Sequence, residues 1–339
     1  MTIRGKKNHY NVKFLKGYGH SITVNNSKLI LKSNHDPFSK SETEEWFVKN
    51  MPYEKIVLSG NGYVSTEALS LLSQNNRNVI LLDNHGKPVT FMNGMMDSLT
   101  ASRYRMAQYD TFRNESKCEY LRQQIISAKK ESQLKLLKLI GSPVDTLPEK
   151  ENVAGRIYFR EFAKAIPQRY GFSSRNQSFI RISKNNATDI INALLNYGYS
   201  VLAGEISKFV CGFGLDPYFG FMHKTHSGFQ PLVYDIIEPF RWLVDYSVFQ
   251  IANNPSHKHR IKLKEYANTR DGKVVLEQSL IKRFLEMLER QFSQERKYNF
   301  RHGPKTESGL KSVQEITVAK IMVQKLVEYC IGNSKNFPV

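Results

Sequence analysis

Hydrophobic positions come in short runs over the first ninety residues and in longer runs of helical period thereafter. HSITV (20–24) and KLILKS (28–33) are strand-like and flank Asn25-Asn26-Ser27, which predicts a hairpin. KIVLSG (55–60) and NVILLD (78–83) are short apolar runs that predict buried strands. Between them Val64 to Gln74 reads as a helix, with Ser65 or Thr66 placed to cap its first turn. Asp83-Asn84-His85-Gly86 is a turn signal, and GKPVTFM (86–92) after it predicts a further strand.

From about Tyr104 to Ile140 the pattern changes to long helices, which Gly141-Ser142-Pro143 stops. Further helices are predicted over Asn152 to Ile166, over Ala187 to about Val210, from near Leu232 past Val248, and over Val313 to Ile331. The expected fold is α+β: a small β-rich N-terminal domain (1–93), a linker (94–103) and a larger all-α domain (104–339). No internal repeat or low-complexity tract interrupts this order.

A length of 339 residues suits two domains, and 40% hydrophobic content suffices for a core. No apolar run reaches the roughly 18 residues of a membrane span. The opening MTIRGKKNHYNVKF lacks the apolar stretch of a secretion signal, so a cytoplasmic protein with no membrane role is expected. Cys118, Cys211 and Cys330 are far apart and odd in number, which predicts buried free thiols rather than disulfides or a metal knuckle. Charge adds more: 49 Lys and Arg against 31 Asp and Glu give a net +18. Such an excess suits a polyanion, whose phosphates release counterions on contact. A membrane surface would call for a basic amphipathic helix or a lipid signal, and neither stands out.

Gly60-Asn61-Gly62-Tyr63-Val64-Ser65 follows a strand and precedes a helix, and Asp83 ends the next strand about twenty residues on, an order that imitates a dinucleotide-binding fingerprint. Ser65 stands where the third glycine belongs, and a turn and strand follow instead of a second βα unit. The better reading is that the glycines form a tight turn and Asp83 opens the next one. No Gly-x-x-x-x-Gly-Lys loop occurs, so the chemistry is expected to need no bound nucleotide, and a nucleotide-dependent oxidoreductase has only the imperfect glycine motif behind it.

Acids inside apolar helices are the strongest chemical signal. Asp235 and Glu238 lie three apart in PLVYDIIEPFRWLVDYSV and share a helix face that Trp242 and Asp245 continue. Beside Leu232, Ile236 and Phe240 such acids are costly without a cation, which is either Arg241 or a metal. Glu151 opens ENVAGRIYFREF, on one face with Ala154, Gly155 and Tyr158; it complements the helix dipole or it faces a ligand. His223 lies in GLDPYFGFMHKTHSG beside Lys224, as a structural histidine or as a ligand. One imidazole and two carboxylates suit Mg²⁺ or Mn²⁺, leaving positions for water and phosphate oxygens. Zinc has less behind it, because no His-Glu-x-x-His occurs and His223 with His226 is a weak pair.

ENVAGRIYF, NALLNYGYSVL (192–202), GLDPYFGFMH, DIIEPFRWLVD, LSGNGYVSTEALSLL and VILLDNHGKPV occur in an order and spacing that, over nearly the whole chain, resembles CRISPR-associated protein 1, the spacer-acquisition integrase family. The resemblance implies that Glu151, His223 and Glu238 bind Mg²⁺ or Mn²⁺, with Asp235 as an accessory catalytic acid. Asn152 and Gly155 depart from the glycine and alanine usual in the family, and neither removes a ligand. Glu149 is a rival to Glu151, but the seven residues from Glu151 to Tyr158 select Glu151. The resemblance further implies a homodimer paired through the β domain, a complex with CRISPR-associated protein 2, and double-stranded DNA as substrate. The implied reaction is transesterification, in which a spacer 3′-hydroxyl attacks a phosphodiester of the repeat and no ATP is consumed. The alternatives are a casposase, a transposon integrase with the same fold and site, and a non-catalytic DNA-binding scaffold.

Basic residues recur near aromatics at Arg156, Arg160, Arg169-Tyr170, Arg175 and Arg181, and in HKHRIKLK (257–264) and QERKYNFRHG (294–303). Each is a phosphate contact or part of a solvated face.

Overall fold

A computed structural model of the chain describes residues 12–33, 41–53, 55–75, 77–82, 88–92, 99–175, 187, 189–223, 230–269, 274–299 and 310–337. The expected turn at Asp83 to Gly86, and Arg181, Lys224 and His226, lie outside these residues. The chain forms two compact units, one of residues 1–109 with 207–216 and the other of residues 110–206 with 217–339.

In the first unit, β1 (Val12–Asn25) and β2 (Lys28–Ser33) are antiparallel partners. They are joined by Asn26 and Ser27 at φ 49° and 61°. Two left-handed residues match the strands' twist, and the short polar side chain of Asn26 suits that region. Ser65 caps α1 (Thr66–Gln74) by accepting the Ala68 N–H at 3.2 Å, as its sequence position predicts. This helix is the crossover between β4 (Lys55–Val64) and β5 (Asn78–Leu82), which are parallel and so cannot be joined by a tight turn. With β3 (Glu42–Trp46) and β6 (Pro88–Met92) the strands form a six-stranded sheet in the order β3-β2-β1-β4-β5-β6. Leu15, Ile22, Leu29, Leu31, Ile56 and Leu72 fill its core.

The glycines at 60 and 62 do not form the expected tight turn. They lie within β4, which continues to Val64 alongside β1. Gly60 has φ 97°, and the pairing shifts register between Tyr18 and His20, opposite the same stretch. A Cβ at Gly62 would come within 2.3 Å of the His20 carbonyl oxygen and imidazole, so a close approach selects glycine there. A helix also starts earlier than the pattern suggests: α2 spans Leu99–Arg113.

The second unit is built mainly from helices. Asn114 caps α3 (Glu115–Leu139), whose end is marked by Gly141 at φ 78°. α4 (Glu151–Lys164) follows, and then α5 (Ile190–Gly212), of which residues 190–206 belong to this unit. The helix expected from Leu232 past Val248 is two: α6 (Pro231–Ile237) and α7 (Arg241–Ala252), separated by a 3-10 turn at Glu238–Phe240. Pro239 lacks the N–H that a continuous helix would use at that position. Leu243, Val244, Val248 and Ile251 of α7 have no exposed surface. Each such side chain contributes about 1.5–3 kcal/mol by burial. At Gly198 a Cβ would lie 2.4 Å from Val244 Cγ1, so α5 and α7 approach where α5 has no side chain.

Among the described residues this unit also has α8 (Gln278–Phe292) and the expected C-terminal α9 (Glu315–Cys330). It also carries two antiparallel strand pairs, β7 (Tyr266–Asn268) with β8 (Val274–Leu276) and β9 (Glu295–Asn299) with β10 (Leu310–Gln314). The cysteines are free, but only Cys330 is fully buried; Cys118 and Cys211 are half-buried, which corrects the expectation of three buried thiols. Among the described residues, no helix is long and apolar enough to cross a membrane.

Candidate active site

Glu238 sits on the turn between α6 and α7 and is only 4% exposed. Arg241, one turn on, donates from Nη1 to Glu238 Oε1 at 2.8 Å. Lys129 of α3 places Nζ 2.7 Å from Glu238 Oε2 and donates to Glu151 Oε1, at the start of α4, at 2.7 Å. The two glutamates therefore converge on one ammonium, although they are remote in sequence. Burial pushes the Glu238 carboxyl up, but Arg241 and Lys129 outweigh it and hold the group at about 2. Burial likewise lowers the Lys129 ammonium, and Glu238 and Glu151 reverse this to a net rise.

Asp235 has no exposed surface and works differently from its neighbour. Its Oδ2 accepts the N–H groups of Phe221 and Met222 at 2.8 and 3.0 Å, and its Oδ1 accepts that of His223 at 2.9 Å. His223 Nδ1 lies 2.6 Å from the same Oδ1. One carboxylate thus fixes both the backbone of the 221–223 segment and the imidazole it carries. The hydrogen bond to Asp235 raises the His223 pKa against the effect of burial, and the charge of Glu238 adds to the rise. Gly220 is needed beside this clamp, because a Cβ there would lie 2.7 Å from Asp235 Oδ2 and from Pro231 Cβ.

Beneath the glutamates, Asp245 of α7 is buried. Tyr158 donates to its Oδ2 at 2.5 Å, and Tyr199 donates to its Oδ1. Burial raises the Asp245 pKa, and the two phenol hydrogen bonds partly offset this. The Tyr199 ring lies under the Arg241 guanidinium at 4.1 Å, so the residue that holds Glu238 is itself held by the residue that holds Asp245. A cavity of about 260 Å³ opens here, lined by Lys129, Gly155, Tyr199, Glu238, Arg241 and Asp245 among others.

The structure brings Glu151 and Glu238 together and pairs His223 with Asp235. Among the described residues, no three His, Cys, Asp or Glu side chains close into a metal cluster; Lys129 stands between the two glutamates. Two features nonetheless fit a divalent cation. Glu238 Oε2 is buried and already faces a cation, the Lys129 ammonium at 2.7 Å. Carboxylate oxygens with an imidazole also form the donor set that Mg²⁺ and Mn²⁺ favour. The alternative partner weighed for Glu238, Arg241, is present as well, so lysine and arginine share this acid.

Lys129 carries no sequence signal, since it stands in SAKKES beside another lysine. Tyr199 lies among apolar and small residues, and its partner Asp245 was legible only as part of the acidic stripe. Several basic residues have internal partners. Arg175 donates to Asn192 and Asn196 at 2.7 and 2.8 Å, and Arg296 pairs with Glu315 at 2.8 Å. Arg169 lies over the Tyr170 ring at 4.8 Å.

The family model described as CRISPR associated protein Cas1 matches residues 14–144 and 141–290. Over 236 residues the chain is 28% identical to CRISPR-associated endonuclease Cas1 2 of Saccharolobus solfataricus, covering 68% of this chain and 71% of that protein. Its fold is similar to that of a casposase bound to integration product, with TM-score 0.78 and 23% identity over 97% of this chain and 92% of the other. It is also similar to a chain of a Cas6-RT-Cas1–Cas2 complex, with TM-score 0.68 and 18% identity over 99% of this chain and 36% of the other.

Proposed function

This chain belongs to the CRISPR associated protein Cas1 family, and from that premise we propose that it is a metal-dependent DNA endonuclease and integrase that inserts spacer DNA into a CRISPR array. The observation that carries the reading is the convergence of Glu151 and Glu238 on a single cationic point. In it, Glu151, His223 and Glu238 hold Mg²⁺ or Mn²⁺. The bound ion supplies positive charge to a phosphate oxygen and favours the deprotonated hydroxyl nucleophile. Asp235 is a positioning residue: buried and fully engaged, it aims His223, as carboxylates behind ligating histidines do. Arg241 fixes the orientation of Glu238, and the basic surface holds the DNA backbone.

In the joining step the spacer 3′-oxygen forms a bond to a repeat phosphorus as that phosphorus releases its own 3′-oxygen. The attacking hydroxyl gives up its proton to solvent and the released 3′-oxygen takes one up, so the number of phosphodiesters is unchanged and no ATP is required. With water as nucleophile the same site cuts DNA.

The proposed partners are double-stranded DNA, a second copy of this chain and CRISPR-associated protein 2, in the cytoplasm. Similarity to a chain of a Cas1–Cas2 complex and to a casposase bound to integration product supports the second protein and the DNA. The likeness to a casposase also keeps a transposon integrase as a second reading. The test mixes purified protein, Mn²⁺ or Mg²⁺, a short duplex and a supercoiled repeat plasmid, and measures covalent attachment of the duplex. Glu151→Ala, His223→Ala and Glu238→Ala should each bind DNA and fail to join it. Wild-type joining by any of them removes that residue from the mechanism. A preference for transposon terminal repeats over CRISPR repeats selects the casposase.

A further inference from the structure

We propose that Lys129 is a built-in surrogate cation, whose ammonium lies between Glu151 and Glu238 and competes with a divalent ion for that place. The inference rests on the metal reading above and adds to it a residue that competes with the ion. Lys129 Nζ lies 2.7 Å from one oxygen of each glutamate, within a site where Glu238 is nearly inaccessible to water. Two carboxylates brought this close repel each other unless a positive charge lies between them. An ammonium and a divalent ion compete for that position, because like charges in contact repel each other.

Of the two cations on Glu238, Lys129 is the one built to leave. Arg241 grips the opposite oxygen, Oε1, and its guanidinium is held over the Tyr199 ring. Lys129 is a point charge on a flexible stem. It also borders the 260 Å³ cavity, where a Cβ at Gly155 would meet nothing within 4 Å, so the displaced ammonium has space beside the site. The lysine holds the two glutamates together and weakens metal binding by competing for them.

The test titrates Mn²⁺ into full-length metal-free protein by calorimetry, comparing wild type with Lys129→Met. The variant should bind Mn²⁺ about tenfold more tightly, since the wild-type site is open only a fraction of the time. Without metal it should melt below wild type, and with saturating Mn²⁺ that gap should close. Acetylation of wild-type lysines, read by mass spectrometry with and without Mg²⁺, requires no variant to fold. Lys129 should become more reactive when Mg²⁺ is added. Equal or weaker Mn²⁺ binding by Lys129→Met, or Lys129 reactivity indifferent to Mg²⁺ in a wild type that binds metal, overturns the inference alone. Failure of wild type to bind Mn²⁺ overturns the metal reading and this inference with it.

Discussion

The Asp235 carboxylate and the His223 imidazole meet at 2.6 Å, and the same carboxylate gathers three consecutive backbone N–H groups from Phe221 to His223. Removing it strands several buried donors at once, at about 1–3 kcal/mol for each group left unsatisfied. Asp235→Ala should lower the melting temperature and also weaken Mn²⁺ binding about 10- to 100-fold, because the ring loses its orientation. Differential scanning fluorimetry and calorimetry read the two effects separately.

Gly220→Ala should reproduce much of that loss without substituting any acid or histidine. The new methyl meets Asp235 Oδ2 and Pro231 Cβ at 2.7 Å, and the Pro231 carbonyl carbon at 2.9 Å, of which the last is backbone and cannot rotate away. Overpacking of this kind costs about 1–3 kcal/mol. Thermal melting and Mn²⁺ affinity should both fall; an unchanged Mn²⁺ affinity would show that the clamp tolerates displacement.

Tyr158→Phe and Tyr199→Phe each remove one of the two phenols on Asp245, leaving a buried carboxylate oxygen short of a donor. Each should destabilise by about 1–3 kcal/mol, and the double variant should depart from the sum, because both phenols serve one group. Urea unfolding of the four proteins closes the cycle. Tyr199→Phe keeps the ring under Arg241, so its loss of stability should exceed its loss of joining activity.

The positions that sequence reveals here are those where local chemistry and tertiary role agree. Asn26-Ser27 is a hairpin turn in which Asn26 is a residue type that accepts positive φ, and Ser65 is a cap because its hydroxyl reaches the first helical turn. Asp235 and Glu238 stand out because acids seldom occupy an apolar stripe. Gly60 and Gly62 misled because glycine serves a tight turn and a close strand approach equally well, and only the position of His20 decides between them. The ETEEW segment of β3 has too many charges to announce a strand, although it pairs along its whole length with β2. α8 was legible in principle, with Leu280, Phe284, Leu288 and Phe292 buried at steps of four. Lys129 was not, since an ordinary lysine acquires its role only from two acids that other helices bring to it.

Stability should also depend on pH through Glu265, away from the site. Arg283 grips it with both nitrogens at 2.6 and 2.7 Å, and the Lys262 N–H adds a third bond at 3.0 Å. These hold the carboxyl below its ordinary value of 4.5, the Arg283 hydrogen bonds most of all. A carboxyl whose folded pKa is depressed stabilises the protein fully above the unfolded value and loses that contribution as pH falls through the folded one. Glu265→Gln should therefore be less stable than wild type at pH 7, and the difference should shrink below about pH 4.5. Urea midpoints measured across that range check the sign.

DNA affinity should fall steeply with salt, given the net charge of +18. With six or more phosphate contacts the loss between 50 and 200 mM salt is on the order of 10³-fold or greater. Fluorescence anisotropy with a labelled duplex measures it, and a flat response would remove the polyanion as partner.

Glu238 rides on a turn that follows nearly all of the helices it depends on: α3 supplies its lysine, and α4 the facing glutamate. During synthesis the ribosome releases Lys129 and Glu151 well before the residue that completes the set. A nascent or truncated polypeptide ending before that turn has half the carboxylate pair, so the two-glutamate site should assemble only once the chain has passed Glu238.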